Sequence, residues 1–108
     1  MTNMLKYYKD LLKDFKKIPG LVIVYGSVAR EKSRPDSDID IAIFSDYDQT
    51  KIMAEEIADN ILFRNGKVVS ILWLTFDNLK KRLNEPFIQN ILRGEVIHGR
   101  KFIKRASP

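Results

Sequence analysis

Two apolar, β-branched runs lie close together in the first half of this chain, LVIVY at residues 21–25 and DIDIAIF at residues 38–44, and the second carries aspartates two residues apart. A strand alternates its side chains between faces, so Asp38 and Asp40 are expected to point the same way. Asp40 lies between Ile39 and Ile41, and the run continues through Ala42, Ile43 and Phe44. A carboxylate drawn into so apolar a strand is costly unless something compensates its charge. Capping of a turn or plain solvation would explain the two acids separately. A shared divalent cation explains them together.

Hard oxygen ligands suit Mg²⁺, which takes one or two carboxylates and completes its shell with water and substrate phosphates. A nucleotide is therefore the natural third party. Gly26 ends the first run where a short helix is expected over residues 27–32. Such a turn lets backbone N–H groups and the Ser27 hydroxyl approach a phosphate at the positive end of a helix dipole. The stretch GSVAREKSRPDSDID contains neither a P-loop, which needs a second glycine and a following lysine, nor the GxGxxG dinucleotide fingerprint.

The pattern of Gly-Ser, ten intervening residues and then DxD resembles the signature of the DNA polymerase β-type nucleotidyltransferase superfamily, and the short chain resembles its minimal nucleotidyltransferase branch. The resemblance spans roughly residues 20–99. It implies an α+β (α/β two-layer) nucleotidyltransferase fold, with a small mixed sheet of three to four strands packed with helices. It also implies that Asp38 and Asp40 are the catalytic, metal-holding pair and that Gly26, Ser27 and Arg30 bind nucleotide. Arg30 matches the family's arginine; it either reaches phosphate or pairs with an acid such as Asp36. Arg34 is ambiguous in the same way, and Glu31 stands where the family often has glycine. Mg²⁺ with ATP or another nucleoside triphosphate is the implied cofactor and substrate. Minimal nucleotidyltransferases resemble antitoxins that pair with a helical HEPN-type ribonuclease toxin, in some cases adenylylating its tyrosine.

One element of the family pattern is missing. Polymerase β-type enzymes use a third carboxylate on a neighbouring strand, which helps hold the catalytic metal and activates the attacking hydroxyl. The third strand here, KVVSILWLT at residues 67–75, contains no acid, and Ser70 stands where the family has aspartate. Asp77 lies seven residues further on, roughly 23 Å along an extended chain. Asp36, Asp46 and Asp48 flank the second strand, with nothing in their spacing that requires them at the metals. The expectation is retained nucleotide and metal binding with weakened transfer of a nucleoside monophosphate to a hydroxyl, or else a non-catalytic nucleotide-binding or antitoxin-type interaction module.

The rest of the chain is consistent with one domain of 108 residues, long enough to bury a core without cross-links. It contains no cysteine, which fits a reducing compartment, and its apolar runs are too short for a membrane span, so a cytoplasmic protein is expected. The net charge of +5 comes from 19 basic against 14 acidic residues. The excess sits on Lys6, Lys9, Lys13, Lys16 and Lys17 and on a basic tail at 100–108; it serves solubility or contact with nucleic acid, without the interleaved aromatics of single-strand binders.

Apolar residues at three- and four-residue steps predict an N-terminal amphipathic helix over 2–17, ended by Pro19-Gly20. Ser33–Ser37 forms a polar loop. A helix capped by Ser45 or Asp48 is expected to run to Phe63, with Ile52, Met53, Ile57, Ile61 and Leu62 on its buried side and Asn65-Gly66 closing it. Thr75 or Asp77 caps a helix through Leu83, Pro86 starts another through Arg93, and a short strand follows Gly94. Trp73, Phe63, Phe76 and Phe87 read as core, and His98, the single histidine, as structural or surface.

Overall fold

The computed structural model describes residues 4–26 and 38–103. Helix α1 (Met4–Leu11) leads into a 3₁₀ segment (Lys13–Lys17), then β1 (Leu21–Tyr25), β2 (Ile39–Phe44), α2 (Asp48–Asn65), β3 (Val69–Leu74), α3 (Phe76–Lys81), α4 (Pro86–Leu92), β4 (Glu95–His98) and a 3₁₀ turn (Arg100–Phe102). The strands form one sheet in the order β3-β2-β1-β4. β1 runs antiparallel to both β2 and β4, whereas β2 and β3 are parallel. A parallel pair needs a long crossover, and the 18-residue α2 supplies it.

The fold is α+β with a mixed sheet packed with helices, and it buries two separate cores. Val22, Val24, Ile39, Ile41 and Ile43 face α1, the first 3₁₀ segment and α2. Leu21, Ile23, Ala42, Phe44 and Leu74 face α3 and α4 through Phe76, Leu79, Ile88 and Ile91. Helices thus cover both faces of the sheet, and the two-layer description leaves the second cover uncounted. Because both faces of β1 and β2 are buried, their sequences are almost continuously apolar rather than alternating.

Several local expectations change. The N-terminal helix is α-helical only to Leu11. Leu12, Phe15 and Ile18 are fully buried at three-residue spacing, and three residues per turn in the 3₁₀ segment put them on one line. Neither Ser45 nor Asp48 caps α2. Tyr47 occupies that position, and Ser45 Oγ instead bonds Thr50 Oγ1 at 2.8 Å and accepts from Tyr47 N at 3.2 Å.

The buried stripe of α2 is Thr50, Ala54, Ala58 and Ile61, with Met53 and Ile57 partly buried beside it. Ile52 (59 %), Leu62 (47 %) and Phe63 (90 %) are exposed instead. Ile52 and Phe63 each lie two residues, about 200°, from a stripe residue, which turns them toward solvent. Small alanines at the interface let α2 pack closely on the sheet. Gly66 ends the helix in the left-handed conformation, φ 68°, as Asn65-Gly66 predicts. Thr75 caps α3, its Oγ1 accepting from Asn78 N at 3.1 Å, and Pro86 opens α4. Trp73 packs against the first core and Phe76 is buried in the second.

Candidate functional site

The site is set by strand alternation and register. Ile39, Ile41 and Ile43 occupy the first core and Ala42 and Phe44 the second, which places Asp40 on the second face at the N-terminal end of β2. There Asp40 is half-buried. Asp38 stands exposed immediately before the strand. Continuing the alternation by one residue brings it to the same side as Asp40.

Asp40 pairs with Tyr25 on the antiparallel side and with Ser70 on the parallel side. Tyr25 and Ser70 share its face, because Leu21, Ile23 and Leu72 of the same alternation pack in the second core. Three oxygen-bearing side chains therefore stand abreast across β1, β2 and β3. Gly26 follows Tyr25 with φ 75°, in the region that L side chains rarely adopt. A Cβ on it would lie 2.6 Å from Asp40 Oδ2, so the turn lies bare against the carboxylate. Burial first, and the charge of Asp40 second, pushes the Tyr25 phenol above its ordinary 10.0.

Could another acid complete the pair? Asp46 lies beyond the opposite end of β2, where its Oδ1 accepts Phe76 N at 3.1 Å and ties that strand to α3. Asp48 begins α2 at the same far end. Asp77 pairs with Lys81 at 3.0 Å on the surface of α3. A cavity of about 360 Å³ lined by Asp46, Tyr47, Phe76 and Phe102 also opens at that end, away from Asp40. Among the described residues no group of three or more His, Cys, Asp or Glu side chains is placed to hold a metal ion. Ser27, Arg30, Arg34 and Asp36 lie outside the described residues, as do the short helix expected at 27–32 and the loop at 33–37.

The donors that are described fit a hard cation with an incomplete protein shell: two carboxylates, a neighbouring hydroxyl, and a glycine turn with no side chain to crowd them. The match to the family model for polymerase β nucleotidyltransferases covers residues 6–102, nearly all of this architecture. The chain belongs to that family. This polymerase β family member is 30 % identical over 78 residues to a candidate protein adenylyltransferase of Methanocaldococcus jannaschii, covering 71 % of the chain and 76 % of the relative.

Its fold is shared with crystal structures of toxin–antitoxin proteins. One is the MntA–HpeT pair carrying two aspartate-to-glutamate substitutions, with TM-score 0.58, 15 % identity, and coverage of 94 % of this chain and 79 % of the other. The second is a toxin–antitoxin structure with AMP-PNP, with TM-score 0.58, 17 % identity, and coverage of 97 % and 81 %. No helix among the described residues is long and apolar enough to cross a membrane.

Tyr25 and Phe87 are the residues at this site that sequence reasoning passed over. Tyr25 reads simply as the last residue of an apolar strand, and only the β1–β2 register places it beside Asp40. Phe87, read as core, is 48 % exposed and meets the Tyr25 ring edge-on, with centroids 6.1 Å apart and an interplanar angle of 90°. Its neighbours Ile88 and Ile91 fill the core and leave Phe87 at the rim.

Proposed function

We propose that this polymerase β family member transfers a nucleoside monophosphate from a Mg²⁺-bound nucleoside triphosphate to a hydroxyl on a partner protein, with turnover limited by Ser70. The observation that carries the reading is the bare Gly26 turn against the Asp40 carboxylate. Glycine lets the turn approach the acid this closely, which sets the carboxylate beside the backbone that would receive phosphate. Asp38 and Asp40 hold the metal, and Gly26, Ser27 and Arg30 receive the triphosphate. When bound, Mg²⁺ neutralises the phosphates and favours an in-line displacement.

In that displacement the acceptor oxygen bonds to the α-phosphorus, the bond to the bridging oxygen breaks, pyrophosphate leaves with the electron pair, and the hydroxyl's proton passes to solvent water. Ser70 stands beside Asp40 without a carboxylate, so β3 offers no strong acceptor for the hydroxyl's proton. Turnover is therefore slow while binding persists. The candidate adenylyltransferase relative favours a protein acceptor, and the toxin–antitoxin neighbours favour a toxin as that protein; that the toxin is a helical HEPN-type protein is what the family resemblance adds.

A second reading, a non-catalytic nucleotide-binding module of the antitoxin type, draws on Ser70, which leaves β3 without a third carboxylate, and on the individually exposed Ile52, Leu62 and Phe63 of α2. One experiment separates them. The chain is incubated with a candidate helical HEPN-type partner, Mg²⁺ and ATP, and the partner is weighed by intact-mass spectrometry. A nucleotide adduct that is lost with Asp38→Asn/Asp40→Asn supports transfer. Mg·ATP binding without an adduct leaves the binding module, and absence of Mg·ATP binding by calorimetry overturns both.

A further inference from the structure

We infer that Tyr25 and Phe87 form an aromatic shelf that holds the nucleobase of the bound nucleotide by stacking on the open face of Phe87. The inference rests on the nucleotide reading above and extends it to a base subsite. Tyr25 is the register partner of Asp40 and directly precedes the Gly26 turn, so its ring stands at the edge of the phosphate and metal site. Phe87 lies one ring further out, edge-on to Tyr25 at 6.1 Å, and leaves about half of its surface to solvent. A nucleotide anchored by its phosphates at Gly26 and Asp40 directs its base either into bulk water or along this shelf.

Packing of the protein itself does not account for Phe87's place at the rim. Ile88 and Ile91 on the same helix are fully buried and anchor α4, whereas Phe87 contributes no comparable burial. Gly94, just after α4, has no side chain where a Cβ would strike the Val24 carbonyl oxygen and the Ile23 side chain, so the helix is held close to β1. At the other end of α4 the Phe87 ring lies against Tyr25, the last residue of β1. The T-shaped contact with Tyr25 then fixes the ring's orientation and leaves a π-face available. Stacking tolerates any base, so the shelf supplies affinity rather than choice among bases.

The test is calorimetric titration of the full chain with Mg·ATP and, separately, with Mg·tripolyphosphate, which has the phosphates but no base. Phe87→Ala is expected to weaken Mg·ATP binding roughly tenfold while leaving Mg·tripolyphosphate unchanged. Phe87→Trp is expected to retain or tighten Mg·ATP binding, and Phe87→Leu, which keeps apolar bulk without a π-face, to behave like the alanine variant. Unchanged Mg·ATP affinity in Phe87→Ala overturns the shelf and leaves the nucleotide reading standing. Equal weakening for both ligands also overturns it, because the ring would then be supporting the fold. A wild-type chain that binds neither ligand overturns the nucleotide reading itself.

Discussion

Asp40 on β2 stands directly opposite Ser70 on β3 in the parallel ladder, with Tyr25 of β1 as its partner on the antiparallel side. A carboxylate at Ser70 would complete a three-acid metal site without moving the backbone. Ser70→Asp is expected to tighten Mg²⁺ binding in the presence of nucleotide by roughly tenfold or more, the scale on which even residues behind a metal ligand act. Without metal the two acids repel across the strands, costing up to about 1 kcal/mol, or roughly 4–8 °C in Tm for a domain of this size. Thermal melts with and without Mg²⁺ check both halves, and Ser70→Asn should show neither.

Gly26 and Gly66 share a left-handed backbone but differ in what surrounds them. A Cβ at Gly66 meets nothing within 4 Å, whereas one at Gly26 lies 2.6 Å from Asp40 Oδ2. Gly66→Ala therefore isolates backbone strain, about 1–2 kcal/mol. Gly26→Ala should cost more in denaturant unfolding and should also weaken Mg·ATP binding, because the methyl group displaces the carboxylate. Equal costs and unchanged binding would contradict the steric account.

Tyr25 offers a pH readout of the same acid. Its phenol is raised above 10.0 by burial first and by Asp40 second, so the folded chain holds that proton more tightly than the unfolded one. The stability this contributes is fully present below pH 10.0 and is lost as pH climbs through the raised value. Tyr25→Phe should flatten that alkaline decline. Asp40→Asn should lower the Tyr25 titration, followed by phenolate absorbance, only part of the way to its ordinary position, since burial remains.

Asp46 separates structure from chemistry. Its carboxylate accepts the Phe76 amide at the far end of β2 from Asp40. Asp46→Ala should destabilise by about 1–2 kcal/mol, the cost of losing a charged cap at a helix start. Mg·ATP affinity of the folded variant should be unchanged. A loss of affinity equal to that of Asp40→Asn would mean that Asp46, not Ser70's neighbour alone, serves the metal.

The two sides of α2 respond differently to substitution. Ile61→Ala opens space in the first core and should cost about 2–4 kcal/mol. Ile52→Glu, on the exposed side, should stay within about 0.5 kcal/mol. If the exposed side of α2 binds a partner, Ile52→Glu and Phe63→Glu should release a co-purified partner while the melts stay unchanged.

Much of the fold can be read from the chain because strands, caps and breakers act locally. LVIVY, the DxD spacing, Asn65-Gly66, Thr75 and Pro86 each carry their own signal, and the corresponding elements are found within a residue or two of their expected limits. The buried side of α2 misled because hydrophobicity marks Ile52, Leu62 and Phe63, whereas the sheet selects small residues, Ala54 and Ala58, for close approach. The N-terminal helix tightens to 3₁₀ for a similar reason: burial of Leu12, Phe15 and Ile18 decides the turn, and helix propensity does not.

The sequence alone placed Asp40 inside an apolar strand, with Asp38 just before it, and a glycine turn at the end of the preceding strand, since alternation and chain breaking are properties of neighbouring residues. Only the tertiary structure decided what stands next to them. Tyr25 and Ser70 flank Asp40 through strand pairings separated by a loop and by the whole of α2, and Phe87 arrives on a helix still further along the chain. Such neighbours depend on long-range register, which no local pattern encodes. The missing acid is visible in the sequence as the composition of β3, but its consequence, a serine hydroxyl facing Asp40, belongs to the assembled sheet.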